Sequence, residues 1–248
     1  MKFEKTDKGF QTTDWTLVSA LADDDTAGRN SARDLLITRY WPPVYSWFRM
    51  NGHDREKAGE LTQAFFAEVV VSRGLLDQAC SHRGRLRSLI LTALRNFSVD
   101  QYRRATAGPP IITLDHEKLE REDNCLPGRS GSLSGDAVFE RRWALSLLQE
   151  AMRRCEALYC SSGKTSYWKA FEARVLRPSI TGNTPPSLGE VAKLFGFTDA
   201  NHAAVAVHTV KTRSRELLQQ VVGETVDDPS ERLTEYGRVV EIIESADK

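Results

Sequence analysis

The segment 187–222, SLGEVAKLFGFTDANHAAVAVHTVKTRSRELLQQVV, constrains this chain more than any other. Pro185 and Pro186 end whatever precedes it, and Ser187 with Glu190 three residues on forms a capping box that starts a short helix. Leu188, Val191, Ala192 and Phe195 recur at helical spacing and give that helix one apolar stripe. Gly196 breaks it, and Asp199 or Asn201 caps a longer helix running to about Val222. Two helices joined by a sharp turn make a helix-turn-helix, a geometry that can set the second helix in a DNA major groove.

That second helix has two unlike faces. Ala203, Val207, Val210, Leu217 and Leu218 fall on one side and are expected to pack on the first helix. Asn201, Ala204, Val205, His208, Lys211, Thr212 and Arg215 fall on another side. A small apolar residue among them suits a thymine methyl, while Asn and Lys reach base edges or phosphates. The bland alternative is a helical hairpin whose charged side is merely solvated.

The chain is 248 residues long, enough for one large or two ordinary domains, each with its own core. Its 34 Lys and Arg balance 34 Asp and Glu, which argues against indiscriminate coating of nucleic acid but leaves room for local basic faces. No apolar run reaches bilayer-spanning length, and the amino-terminal MKFEKTDKGF is polar, so a cytoplasmic protein without membrane contact is expected. Cys80, Cys125, Cys155 and Cys160 show neither a CxxC pair nor a flanking His at zinc spacing. They read as reduced thiols, with no metal and no cofactor expected.

The expected fold is all-α: two helical domains joined by a flexible linker, the second containing the helix-turn-helix. Helices are expected over 14–23, over 27–50 with a kink or split at Pro42 and Pro43, over 54–72 and over 85–105. Residues 107–135 are rich in Gly, Pro and Ser and read as a connector. The domains are therefore 1–26, an extension with a short helix; 27–106, the first helical domain; 107–135, the linker; 136–223, the second domain; and 224–248, an acidic tail.

Within the first domain, GRLRSLILTALRNFSVDQYRRA concentrates arginine in an otherwise neutral chain. Leu86, Leu89, Ile90, Ala93, Leu94 and Phe97 form its buried stripe, and the preceding His82-Arg83-Gly84 can cradle a phosphate or an unstacked base. The helix before it, DREKAGELTQAFFAEVV, has an apolar side and a mildly acidic one, suited to a basic protein groove.

Together these segments resemble the bacterial extracytoplasmic-function (ECF) sigma factors, the compact promoter-recognition subunits of RNA polymerase. ELTQAFFAEVV is similar to the family's core-binding helix, RGRLRSLILTALRNFSVDQYRRA to its promoter-melting helix, and SLGEVAKLFGF with VAVHTVKTRSRELL to its second-domain helix-turn-helix. FQTTDWTLV, YWPPVYSW and FERRWALSLLQEAM are similar to one divergent branch. The resemblance implies core RNA polymerase and promoter DNA as partners, with an anti-sigma factor or regulatory kinase as further ones. It assigns Asp54, Glu56, Glu60, Leu61, Gln63 and Phe66 to the polymerase. Ser81, His82, Arg83, Arg87, Thr92, Asn96, Arg103 and Arg104 go to the proximal promoter element. Asn201, His202, Ala204, Val205, His208, Lys211, Thr212, Arg213 and Arg215 go to the distal one. Ala64 stands where the pattern carries an acid, and phosphorylation of Thr62 is one way to restore charge there.

An enzymatic role is not expected. GKT at 163–165 lacks the earlier glycine of a phosphate loop, Leu158 standing there, and the five histidines form no HExxH or triad-like pattern. The competing readings are a helix-turn-helix regulator that binds duplex operators without polymerase, and a scaffold that has lost its DNA contacts. The acidic tail is expected either to mask the basic face of the second domain or to pack as an ordinary terminal helix.

Overall fold

The computed structural model describes residues 26–72, 86–106, 134–226 and 228–245. The helix expected over 14–23, the loop 81–83 and most of the 107–135 connector lie outside the described residues. Every regular element among the described residues is helical, so the all-α expectation holds. They form two compact units, divided between Ala144 and Leu145 inside one helix, so residues 135–144 group with the first unit.

The first unit contains α1 (Thr26–Met50), α2 (Arg55–Phe65), α3 (Leu86–Thr106) and the beginning of α4 (Gly135–Ser161). α1 is not split at Pro42 and Pro43; its helical course runs through both. Each proline removes its own N–H donor and crowds the preceding turn, and that local cost is set against the full burial of Leu36, Tyr40, Val44 and Phe48 on either side. Gly52, at φ 86°, turns the chain after α1. Asp54 then caps α2, its Oδ1 accepting from the Lys57 N–H at 2.7 Å. Beyond Phe65 the helix widens into a π-helical turn, Phe66–Ser72.

The core of this unit is aromatic. Phe97 meets Phe48 and Phe65 edge to face at 6.3 and 5.7 Å, and Phe139 stacks on Tyr40 at 6.4 Å. Gly135 presses so closely on α1 that a Cβ there would meet the Asn51 side chain and lie 3.2 Å from the Trp47 Nε1.

The second unit contains the rest of α4, α5 (Thr165–Phe171), a π-helical turn at Glu172–Leu176, α6 (Arg177–Thr181), α7 (Leu188–Phe195) and α8 (Ala200–Gly223). Its core takes Ala151, Cys155, Trp168, Phe171, Val191, Ala203, Val210 and Val221. The carboxy-terminal helix α9 (Arg232–Glu244) contributes Arg232–Arg238 to this unit. No helix among the described residues is long and apolar enough to cross a membrane.

Candidate nucleic-acid interface

α7 begins where the capping box predicts. The Ser187 N–H and hydroxyl both donate to Glu190 Oε2 at 2.8 Å, and the Glu190 N–H donates to Ser187 Oγ at 3.3 Å. That hydroxyl and backbone hydrogen bonding from Ser187 holds the Glu190 carboxyl below its ordinary pKa. α7 ends at Gly196, whose φ of 76° is the left-handed turn that favours glycine. Asp199 then starts α8, accepting from the His202 N–H at 2.7 Å. Arg174, in the π-helical turn, donates to the Pro186 carbonyl and ties down the approach to α7.

α8 divides as its periodicity predicts. Ala203, Ala206, Val207, Val210, Leu217 and Leu218 are buried. Asn201, His202, Val205, His208, Lys211, Thr212, Arg213 and Arg215 are exposed, and Ala204 is half-buried. From Ala200 to Arg215 the helix carries no acid; Glu216 is its first. Val205, 54% exposed, stands between Asn201 and His208 on the outer side. Two members of the predicted set are held by the protein itself. Arg213 pairs with Glu216 at 2.8 Å, and both ring nitrogens of His202 meet hydroxyls.

Arg232 packs against Gly223, at the opposite end of α8 from Asn201 and His208. Glu235 is buried.

The arginine-rich helix α3 is a different matter. Thr92, Asn96, Arg103 and Arg104 are exposed, as is Arg95. Arg87 is corrected: it is a core residue, 3% exposed, donating to Glu140 at 3.3 Å and lying over the Trp143 ring at 4.5 Å. Helical spacing cannot foresee this, because both partners arrive from a segment more than fifty residues away. Arg95 is paired with Asp136, whose Oδ1 also accepts from the Trp47 Nε1 at 2.9 Å. Arg95 hydrogen bonding, helped by Trp47, holds the Asp136 carboxyl below its ordinary range despite partial burial. Arg104 makes two hydrogen bonds to Glu68, at 2.9 and 3.2 Å. Arg103 is exposed beside it. Ser81, His82 and Arg83 lie outside the described residues.

The same face carries two side chains the residue pattern did not single out, Val99 and Tyr102, 48% and 57% exposed. The signal was present: both fall off the stripe of Leu86, Ile90, Leu94 and Phe97.

On α2, Asp54, Glu56, Glu60 and Gln63 are exposed. Leu61 and Phe66 are corrected: they are 8% and 3% exposed, and Phe66 stacks on Trp41 at 5.7 Å. The outward set thus loses both apolar members. Glu60 already pairs with Lys57 at 3.0 Å. Thr62 is fully buried, its hydroxyl donating to the Ala58 carbonyl at 2.6 Å, so a phosphate there requires the helix to move first.

No family model, no curated protein and no solved structure matches this chain.

Proposed function

We propose that this chain is a transcription initiation factor of the ECF sigma type, acting in the cytoplasm. On this reading α7 and α8 are a helix-turn-helix that engages the distal promoter element, and the first unit engages polymerase and the proximal element. The 107–135 segment, rich in Gly, Pro and Ser, is on this reading the connector between the two DNA-facing domains. Catalysis belongs to the polymerase.

The observation that carries the reading is the outer side of α8. Asn201, Val205, His208, Lys211, Thr212 and Arg215 are all exposed on a helix without an acid before Glu216. An amide, an apolar contact and flanking cations on one helix suit base edges and phosphates. Between Leu145 and Gly223 there are ten Lys and Arg against six Asp and Glu, a surplus of four in a chain whose total is zero. Local basicity of that kind favours a polyanion. The acidic, exposed Asp54, Glu56 and Glu60 on α2 support a basic protein partner for the first unit.

One observation favours a second reading, a regulator that binds duplex operators without polymerase. Arg87 is buried and Arg95 and Arg104 are paired with Asp136 and Glu68, which leaves the α3 face with fewer uncommitted cations than the α8 face. Equilibrium binding of labelled duplex promoter fragments, with and without bacterial core polymerase, separates the two. The sigma reading expects weak binding alone and strong, sequence-selective binding once core is added. Tight selective binding by the chain alone, unchanged by core, rejects it in favour of the operator regulator.

A further inference from the structure

α8 begins in a cluster that the DNA reading of its outer face does not use. The His202 ring places Nδ1 2.8 Å from Thr198 Oγ1 and Nε2 3.4 Å from the Tyr167 hydroxyl. It stands edge to face on Phe197, with centroids 5.1 Å apart, and on Tyr167 at 6.2 Å. Tyr167 is itself fixed, stacked on Tyr159 at 6.4 Å and edge-on to Phe197 at 5.7 Å. The Lys164 ammonium lies 5.9 Å from the Tyr167 ring centroid. The first turn of α8 is thus joined to α5 and to the α7–α8 turn by one connected group.

We infer that Tyr167, Thr198 and His202 form a clasp that sets the first turn of α8, making His202 and Tyr167 positioning residues and not readers of DNA. The inference deepens, and rests on, the reading of α8 as the DNA-facing helix. Three points carry it. The ring has no nitrogen left over, so a base contact by His202 would first break one of its two hydrogen bonds. Its backbone N–H is also engaged, by Asp199. And at about 100° per residue His202 is turned to the flank that meets α5, while Asn201, Val205, His208 and Thr212 lie opposite the buried stripe.

The need for a clasp is physical. The first N–H groups of a helix have no partner within it, and its opening turn frays unless something holds it. A recognition helix makes its base contacts from its amino-terminal part, whose direction that turn sets, and such contacts tolerate only about 0.5 Å of misplacement. Asp199 caps the backbone, and the His202–Tyr167 pair fixes the direction in which the turn points. The readers are then Asn201, Val205, His208 and Thr212, with Lys211 and Arg215 on the phosphates.

Two measurements on the full chain test this. Without DNA, amide hydrogen exchange in the first turn of α8 should rise several-fold in His202→Ala and in Tyr167→Phe, and the double variant should rise no further than the larger single. Additive effects, or no change with Tyr167→Phe, overturn the clasp. With DNA, each variant is selected against a randomised duplex pool, in the presence of core polymerase. His202→Ala should lower affinity several-fold with base preferences kept at every position, whereas Asn201→Ala relaxes one position. Relaxation at a single position by His202→Ala but not by Tyr167→Phe makes His202 a reader and overturns the inference. If the unaltered chain enriches no sequence, the DNA reading of α8 fails, and the clasp is decided by the exchange experiment alone.

Discussion

The Arg87 guanidinium lies 4.5 Å from the centroid of the Trp143 indole while its Nη1 donates to Glu140 at 3.3 Å. A cation expected on the DNA face is thereby part of the first unit's core, covered by the opening turns of α4. Trp143 is fully buried. Trp143→Ala removes the indole and the face that receives the cation, and should lower the stability of the first unit by about 3–5 kcal/mol. Urea unfolding followed by circular dichroism checks it, and Trp143→Phe should lose clearly less.

Gly135 permits the close approach of α4 to α1. In Gly135→Ala the new methyl meets the Asn51 side chain, whose Nδ2 donates to the Trp47 carbonyl at 2.8 Å. Displacing a flexible amide and its hydrogen bond should cost about 1 kcal/mol. The effect should be smaller, though not abolished, in an Asn51→Ala background, because the Trp47 Nε1 still lies 3.2 Å from the new methyl; thermal unfolding can read this cycle.

Asp136 should make stability depend on acid. Arg95 and Trp47 hold its folded-state carboxyl below the ordinary value, so the unfolded chain takes up the proton more readily. The contribution is fully present above the unfolded-state carboxylate range and is lost as pH falls through the lower folded value. The stability difference between the unaltered chain and Asp136→Asn should therefore be widest near neutral pH and narrow below about pH 4. High salt should narrow it too, because Arg95 is about half exposed. Unfolding midpoints across pH and salt give the answer.

Much of the fold was legible because local chemistry decides it. Ser187 with Glu190, Gly196 and Asp199 mark helix ends by hydrogen bonds that span at most three residues or by one backbone angle, and each does so here. The stripe from Ala203 to Leu218 is likewise a matter of period. What was not legible depends on distant chain. Arg87 reads as a surface cation until Glu140 and Trp143 cover it. Phe66 falls on the apolar side of its helix by period, and its stacking on Trp41 removes only the outward role that the family resemblance assigns it. The widening of α2 and α5 into π-helical turns has no local residue signal, and the prolines at 42 and 43 do not split α1. For the candidate site, the exposed residues of α8 were readable from spacing, while the engagement of His202 depends on Tyr167, thirty-five residues earlier.

The two described thiols should differ sharply in reactivity. Cys155 is buried, and burial pushes its thiol up to about 11, opposed by the nearby Arg213. Cys160 is exposed. Since the thiolate is the nucleophile, iodoacetamide at pH 8 should label Cys160 in the native chain and Cys155 only after unfolding. Peptide mapping by mass spectrometry reads both in one experiment.

The proposed function is that this chain directs a bacterial polymerase to promoters. Its most direct test is reconstitution with core enzyme and mapping of transcript 5′ ends across a genomic library, beside Asn201→Ala with Lys211→Ala. The account predicts a small set of starts that share one distal sequence element, absent with core alone and lost in the double variant. Starts that match those of core alone, with or without the chain, would contradict it.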